Sequence, residues 1–105
     1  MEKYSFLPDI AASTEVPDKG ILSQTIVNNE DVRVVVFGFA AGEELSEHTA
    51  SVPAMIEIVA GEAEVKLGDE RHEASAGFWA YMPAKLPHSI RAKAPLKMLL
   101  LMLKK

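Results

Sequence analysis

Cysteine is absent from all 105 residues, which removes disulfides, thiolate nucleophiles and cysteine-based zinc sites together and fits a reducing compartment. An excess of basic charge is absent too. Eleven Lys and Arg stand against fifteen Asp and Glu, for a formal net charge of -4, so nucleic acid, which is held largely by Lys and Arg on phosphates, is not an expected partner. Long apolar runs are lacking. The densest, at 98–103, is six residues, against the roughly 20 that a membrane-crossing helix needs, so no membrane partner is expected. Phe6 and Leu7 run directly into Pro8, which leaves no apolar core for an export signal, and the cytoplasm is the expected location. Aromatics make up only 7%, and there is no internal repeat, no low-complexity tract and no sustained 3.6-residue periodicity, so long amphipathic helices are not expected.

What remains is an ordinary globular composition, 49% apolar and 25% charged, of a size that suits one domain. Residues 1–20 read as an N-terminal arm, because Ser13, Thr14, Pro17, Asp18 and Gly20 supply loop chemistry. Residues 21–105 read as the single domain. There, short β-branched and aromatic runs alternate with turn residues. Val34, Val35, Val36 and Phe37 in succession suggest a strand covered on both faces. Gly68, Asp69 and Glu70 form the tip of a tight hairpin in which Gly68 takes the positive φ. Pro83 ends one strand and Pro87 precedes the next. About eight short strands follow from this reading, which is the pattern of an all-β barrel or sandwich.

Two stretches carry a more specific signal. Over 42–61 a glycine turn (Gly42) is followed after five residues by His48 and then by Gly61. Over 77–92, Gly77, Pro83 and His88 fall at fixed intervals. In order and spacing the pair resembles the two motifs of the cupins, G-x5-H-x-H-x3,4-E-x6-G and G-x5-P-x-G-x2-H-x3-N. The resemblance implies a cupin-type double-stranded β-helix, an RmlC-like jelly-roll barrel with a short N-terminal arm. It also implies a divalent transition metal (iron, manganese, nickel, copper or zinc) held inside the barrel by three imidazoles and a carboxylate. Only His48 and His88 fill ligand positions. Ala50 stands where the second histidine belongs, Ala54 (or Met55 at the longer spacing) where the glutamate belongs, Lys85 in place of a glycine and Ala92 in place of an asparagine.

His48 and His88 are therefore the candidate metal ligands, both expected to face the barrel interior with their nearest ring nitrogens within about 6 Å. Two imidazoles alone leave open positions and hold a metal weakly. The plainer alternative for His48 is a surface histidine after the acidic turn of Glu43, Glu44 and Glu47, and His72, next to the hairpin tip, reads as solvated. Glu57 is the one carboxylate in an apolar run. It is a candidate catalytic base if Met55 faces the lumen and is solvated if Ala54 does, the spacing to Gly61 favouring Ala54. Met55, Trp79, Met82 and Arg91 are candidate pocket residues, with Met55 a soft donor or core filler and Arg91 and Lys85 able to meet an anionic ligand. The expected function is a small-molecule-binding cupin with a weakly held transition metal. The alternatives are a metal-dependent enzyme of the dioxygenase, isomerase or lyase kind, and an interaction module acting as a dimer. A homodimer is expected because the last strand, from Leu96 to Leu103, is apolar on both faces and a barrel covers only one. Tyr4, Phe6 and Leu7 of the arm are expected to reach across onto the second copy.

Overall fold

The structure is a computed structural model, and it describes residues 4–105. Among the described residues the chain forms one short 3-10 turn, Ile10–Ser13, and nine strands: β1 Ile21–Asn28, β2 Val32–Phe39, β3 Glu44–His48, β4 Ala54–Ala60, β5 Glu62–Leu67, β6 Glu70–Ser75, β7 Trp79–Met82, β8 His88–Ala92 and β9 Leu96–Leu103. They build two antiparallel sheets, one of five strands in the order β1-β2-β9-β4-β7 and one of four in the order β3-β8-β5-β6. This is the all-β jelly roll. No helix among the described residues is long and apolar enough to cross a membrane.

Side-chain alternation sets what lies between the sheets. On β4, Ala54, Ile56 and Ile58 are buried while Glu57 is exposed, and on β7, Ala80 and Met82 are buried while Trp79 and Tyr81 are exposed. Phe39, Leu96 and Met98 extend the same inner face, and Ala63, Val65, Ile90 and Ala92 meet them from the four-stranded sheet. Each large side chain fully buried here is stabilised by roughly 1.5–3 kcal/mol relative to exposure. Alanines at 54, 63, 74, 80 and 92 in the same core let the sheets approach where longer side chains cross.

Val35 and Val36 are both buried although they point to opposite faces. Val35 pairs with Leu100 on the inner side, and Val36 with Leu99 on the outer. The outer cover comes from the chain's own arm. A Cβ at Gly38 would run into the backbone carbonyl of Glu15, and Lys97 Nζ donates to the Ala11 carbonyl, so the arm lies flat on the outer face of β2 and β9 at that end. Gly68 takes φ +61° in the β5–β6 turn, a conformation that costs a side-chain-bearing residue more than glycine.

Candidate functional site at the barrel mouth

His48 is the last residue of β3 and His88 the first of β8, and the two are cross-strand partners. A register shift between Leu45 and His48 turns the end of the edge strand so that the rings meet edge to face, centroids 4.2 Å apart at 61°. Each ring is held by a backbone carbonyl two residues earlier in the chain: His48 Nδ1 lies 2.8 Å from the Ser46 oxygen and His88 Nδ1 lies 2.9 Å from the Leu86 oxygen. A carbonyl oxygen only accepts, so each neutral ring carries its proton on Nδ1 and keeps a lone pair on Nε2. Backbone fixation of this kind is what orients imidazoles that act through Nε2.

The two rings differ in surroundings. His88 is buried, 5% exposed, whereas His48 is exposed. Burial pushes the His88 pKa below its ordinary value, the bond to Leu86 works the other way, and the neighbouring His48 charge lowers it further. The loops that present both rings are tied to each other and to the barrel. Lys85 N–H donates to the Ala50 carbonyl at 2.7 Å, Gly68 N–H to the Pro87 carbonyl at 2.8 Å and Leu103 N–H to the Pro53 carbonyl at 2.9 Å. Lys85 takes φ +70°, so the backbone keeps at this position the left-handed turn for which the motif supplies glycine.

The other candidates scatter. Ala54 faces inward, 2% exposed, so Met55 and Glu57 point outward from the five-stranded sheet. Glu57 therefore lies on the far side of β4 from the imidazoles. Trp79 points outward too, and with Met55, Ile56, Glu57, Leu99 and Leu101 it lines a shallow groove of about 140 Å³ on that outer face. Met55, Glu57 and Trp79 do not line the lumen, because a strand turns alternate side chains to opposite faces and the inward set here is 54, 56, 58, 80 and 82. Met82 is the one pocket candidate that points inward. Arg91 sits on the outer face of the four-stranded sheet, 3.9 Å from Glu64, beside the pairs Arg71–Glu64 at 2.8 Å and Lys66–Glu47 at 3.3 Å. Lys85 is exposed. His72 is half-buried rather than solvated, its ring centroid 6.2 Å from that of Phe78. It pairs with Val65 on the inner side of an edge strand. Met102 is a site neighbour that the sequence does not point to. It pairs with Ala54 from one side as Met82 does from the other.

The residues at the mouth do not make the family's metal centre. Among the described residues there is no group of three or more His, Asp or Glu able to hold an ion. Ala50 and Ala54 offer no donor atoms at the two positions that would complete it.

A cupin-domain model matches residues 35–103, which span β2 to β9 and include both histidines. The chain belongs to the cupin domain family. Solved structures agree. A conserved protein of unknown function from Streptococcus pyogenes is 28% identical with a TM-score of 0.86, over 99% of this chain and 91% of that one. A cupin superfamily protein from Desulfitobacterium hafniense is 26% identical with a TM-score of 0.86, over 100% of this chain and 95% of that one. A salicylate 1,2-dioxygenase from Pseudoaminobacter salicylatoxidans, 17% identical over 79% of this chain and 25% of that one with a TM-score of 0.75, shares the fold alone. No curated protein matches the chain. The Streptococcus pyogenes relative, similar over nearly its whole length, is of unknown function, and the fold also carries an enzyme.

Proposed function

We propose that this cupin is a small-molecule-binding protein whose site is the mouth of the barrel at His48 and His88. The observation that carries the reading is the pair of Nε2 atoms, both with free lone pairs and neither with a hydrogen-bond partner among the described residues. Two adjacent acceptors at the edge of an apolar interior suit a ligand with a hydroxyl or other donor on an apolar body, the donor at the imidazoles and the body toward Met82 and Met102. The enzyme alternative requires donors that Ala50 and Ala54 do not supply.

Phenol is a minimal probe of that chemistry. Its titration, followed by the imidazole 15N resonances, is expected to shift Nε2 of both rings and to lose that effect in His48→Ala and His88→Ala. Phenol binding unchanged in both variants overturns the reading.

A second copy of the chain completes the molecule. On the outer face of the five-stranded sheet, Leu101, Met55 and Tyr81 form one row across β9, β4 and β7, and Leu99, Glu57 and Trp79 form the next. Trp79 is 57% and Tyr81 50% exposed. Exposed aromatics beside partly exposed Met55, Leu99 and Leu101 suit a protein contact, and a two-fold contact is the commonest way to cover such a face. Residues 11–16 of the chain's own arm cover the Gly38 and Lys97 end of that sheet, while Tyr4 and Phe6, 76% and 75% exposed, stay clear of it and are the part of the arm proposed to reach the second copy. The rows through Trp79 and Tyr81 are what remain for the second copy.

A further inference from the structure

We propose that the groove on the outer face of the five-stranded sheet binds a small organic cation of the quaternary ammonium class, with the Trp79 indole as its aromatic wall and the Glu57 carboxylate as its countercharge. The site lies apart from the barrel mouth and does not depend on it. Trp79 and Glu57 are cross-strand partners on β7 and β4, and both are exposed on the outer face. Directly opposed Cβ atoms lie about 4.5–5.5 Å apart, so an indole and a carboxylate stand side by side. Leu99 pairs with Glu57 from the other strand, and Met55, Ile56 and Leu101 complete a groove of about 140 Å³.

The chain itself engages neither group. Glu57 takes part in no ion pair and no side-chain hydrogen bond among the described residues. On the four-stranded sheet, by contrast, Glu47 is paired with Lys66, Glu64 with Arg71 and Glu73 with Lys93. The lysine two residues before Leu99 on the same strand, Lys97, donates to the Ala11 carbonyl instead. Trp79 is 57% exposed and has no ring contact among the described residues. A large aromatic surface and an uncompensated carboxylate therefore open onto the same space.

The chemistry of the occupant follows from those walls. Indole attracts a cation over its face more strongly than the other aromatic side chains do, and the carboxylate supplies the opposite charge. A strongly hydrated metal or simple ammonium ion keeps its water here, because Met55, Leu99 and Leu101 offer it no oxygen. N-methyl groups instead give the charge an apolar surface that packs on those side chains. The volume is below the roughly 300–1,000 Å³ of drug-sized pockets, which limits the occupant to a headgroup of few heavy atoms. The second copy proposed for this face covers the same ring, so cation and dimer exclude one another.

The test compares choline with the dimethylbutanol that carries a quaternary carbon in place of its nitrogen. Trp79 is the only tryptophan in the chain, so tryptophan fluorescence reads this site alone. Choline is expected to shift the emission saturably and the neutral isostere to bind at least tenfold more weakly. Glu57→Gln is expected to weaken choline at least tenfold and to leave the isostere unchanged. Saturation-transfer NMR on the choline methyls needs no tryptophan, and its signal is expected to vanish in Trp79→Leu. Both positions are exposed, so the variants fold, as circular dichroism checks. Light scattering of a dimeric parent is expected to fall to the chain mass at saturating choline. A shift that does not saturate, an isostere bound as tightly as choline, or affinity unchanged in Glu57→Gln overturns the cation site. A dimer that persists with no choline bound overturns it too and leaves the face to the second copy. A monomeric parent that binds choline, or a dimer that persists beside bound choline, keeps the cation site and overturns the second copy's contact on Trp79.

Discussion

His88 has its imidazole out of water, against its carbonyl partner and beside a second histidine, so acid acts on it directly. Its folded-state pKa lies below the ordinary 6.5, burial being the largest cause. The folded chain therefore takes up this proton less readily than the unfolded chain. The stability from the neutral ring is complete above the ordinary value and is lost as pH falls through the folded one. Urea unfolding at about pH 7.5 and pH 5 is expected to show a larger acid loss for the parent than for His88→Gln, and equal losses refute the assignment. Lys85 gives a second test at this scale. A lysine at φ +70° carries a steric cost of about 1 kcal/mol or more that glycine avoids, so Lys85→Gly is expected to raise the urea midpoint. Both positions bear on what the sequence disclosed. The motif spacing located His48, His88 and the turn at Lys85, because glycine and proline fix the chain's path whatever side chains decorate it. The spacing to Gly61 favoured Ala54 inward and Glu57 outward, as found, but it said nothing of Trp79, since one residue of spacing in a strand exchanges inside for outside.

At the level of strands, the inner face of β4 holds the sheets together and its outer face does not. Ile56→Ala is expected to cost about 2–5 kcal/mol through lost burial and the cavity left behind. Glu57→Ala, one position on, is expected to stay within about 0.5 kcal/mol. Comparable losses at both sites, measured by denaturant unfolding, refute the alternation. Most strands were visible in the sequence because valine, isoleucine and leucine runs end at glycine or proline. β3 was not. Its residues Glu44–His48 form an exposed edge with Leu45 the only apolar side chain, and it exists because β8 offers it a ladder. That partner, like the rows joining Met102, Ala54 and Met82, comes from long-range pairing, which local composition does not encode.

For the whole molecule the two outer faces have opposite character. The four-stranded sheet shows solvent a lattice of Glu44, Glu47, Glu64, Lys66, Arg71 and Arg91, while the five-stranded sheet shows Trp79, Tyr81, Leu99 and Leu101. Light scattering at micromolar concentration is expected to give twice the chain mass for the parent and the chain mass for Trp79→Glu, which places a charge in the proposed contact. A parent that is monomeric under those conditions refutes the dimer.

This difference between the faces makes the separated protomer an amphiphile in the colloid chemist's sense, with a wetting side and a non-wetting side on one rigid particle. In the proposed dimer the non-wetting sides would be turned together, away from the solvent. If that dimer forms, dilution past its association midpoint is expected to create surface activity: adsorption to air bubbles and plastic walls when dilute, retention in the bulk when concentrated, the reverse of simple crowding.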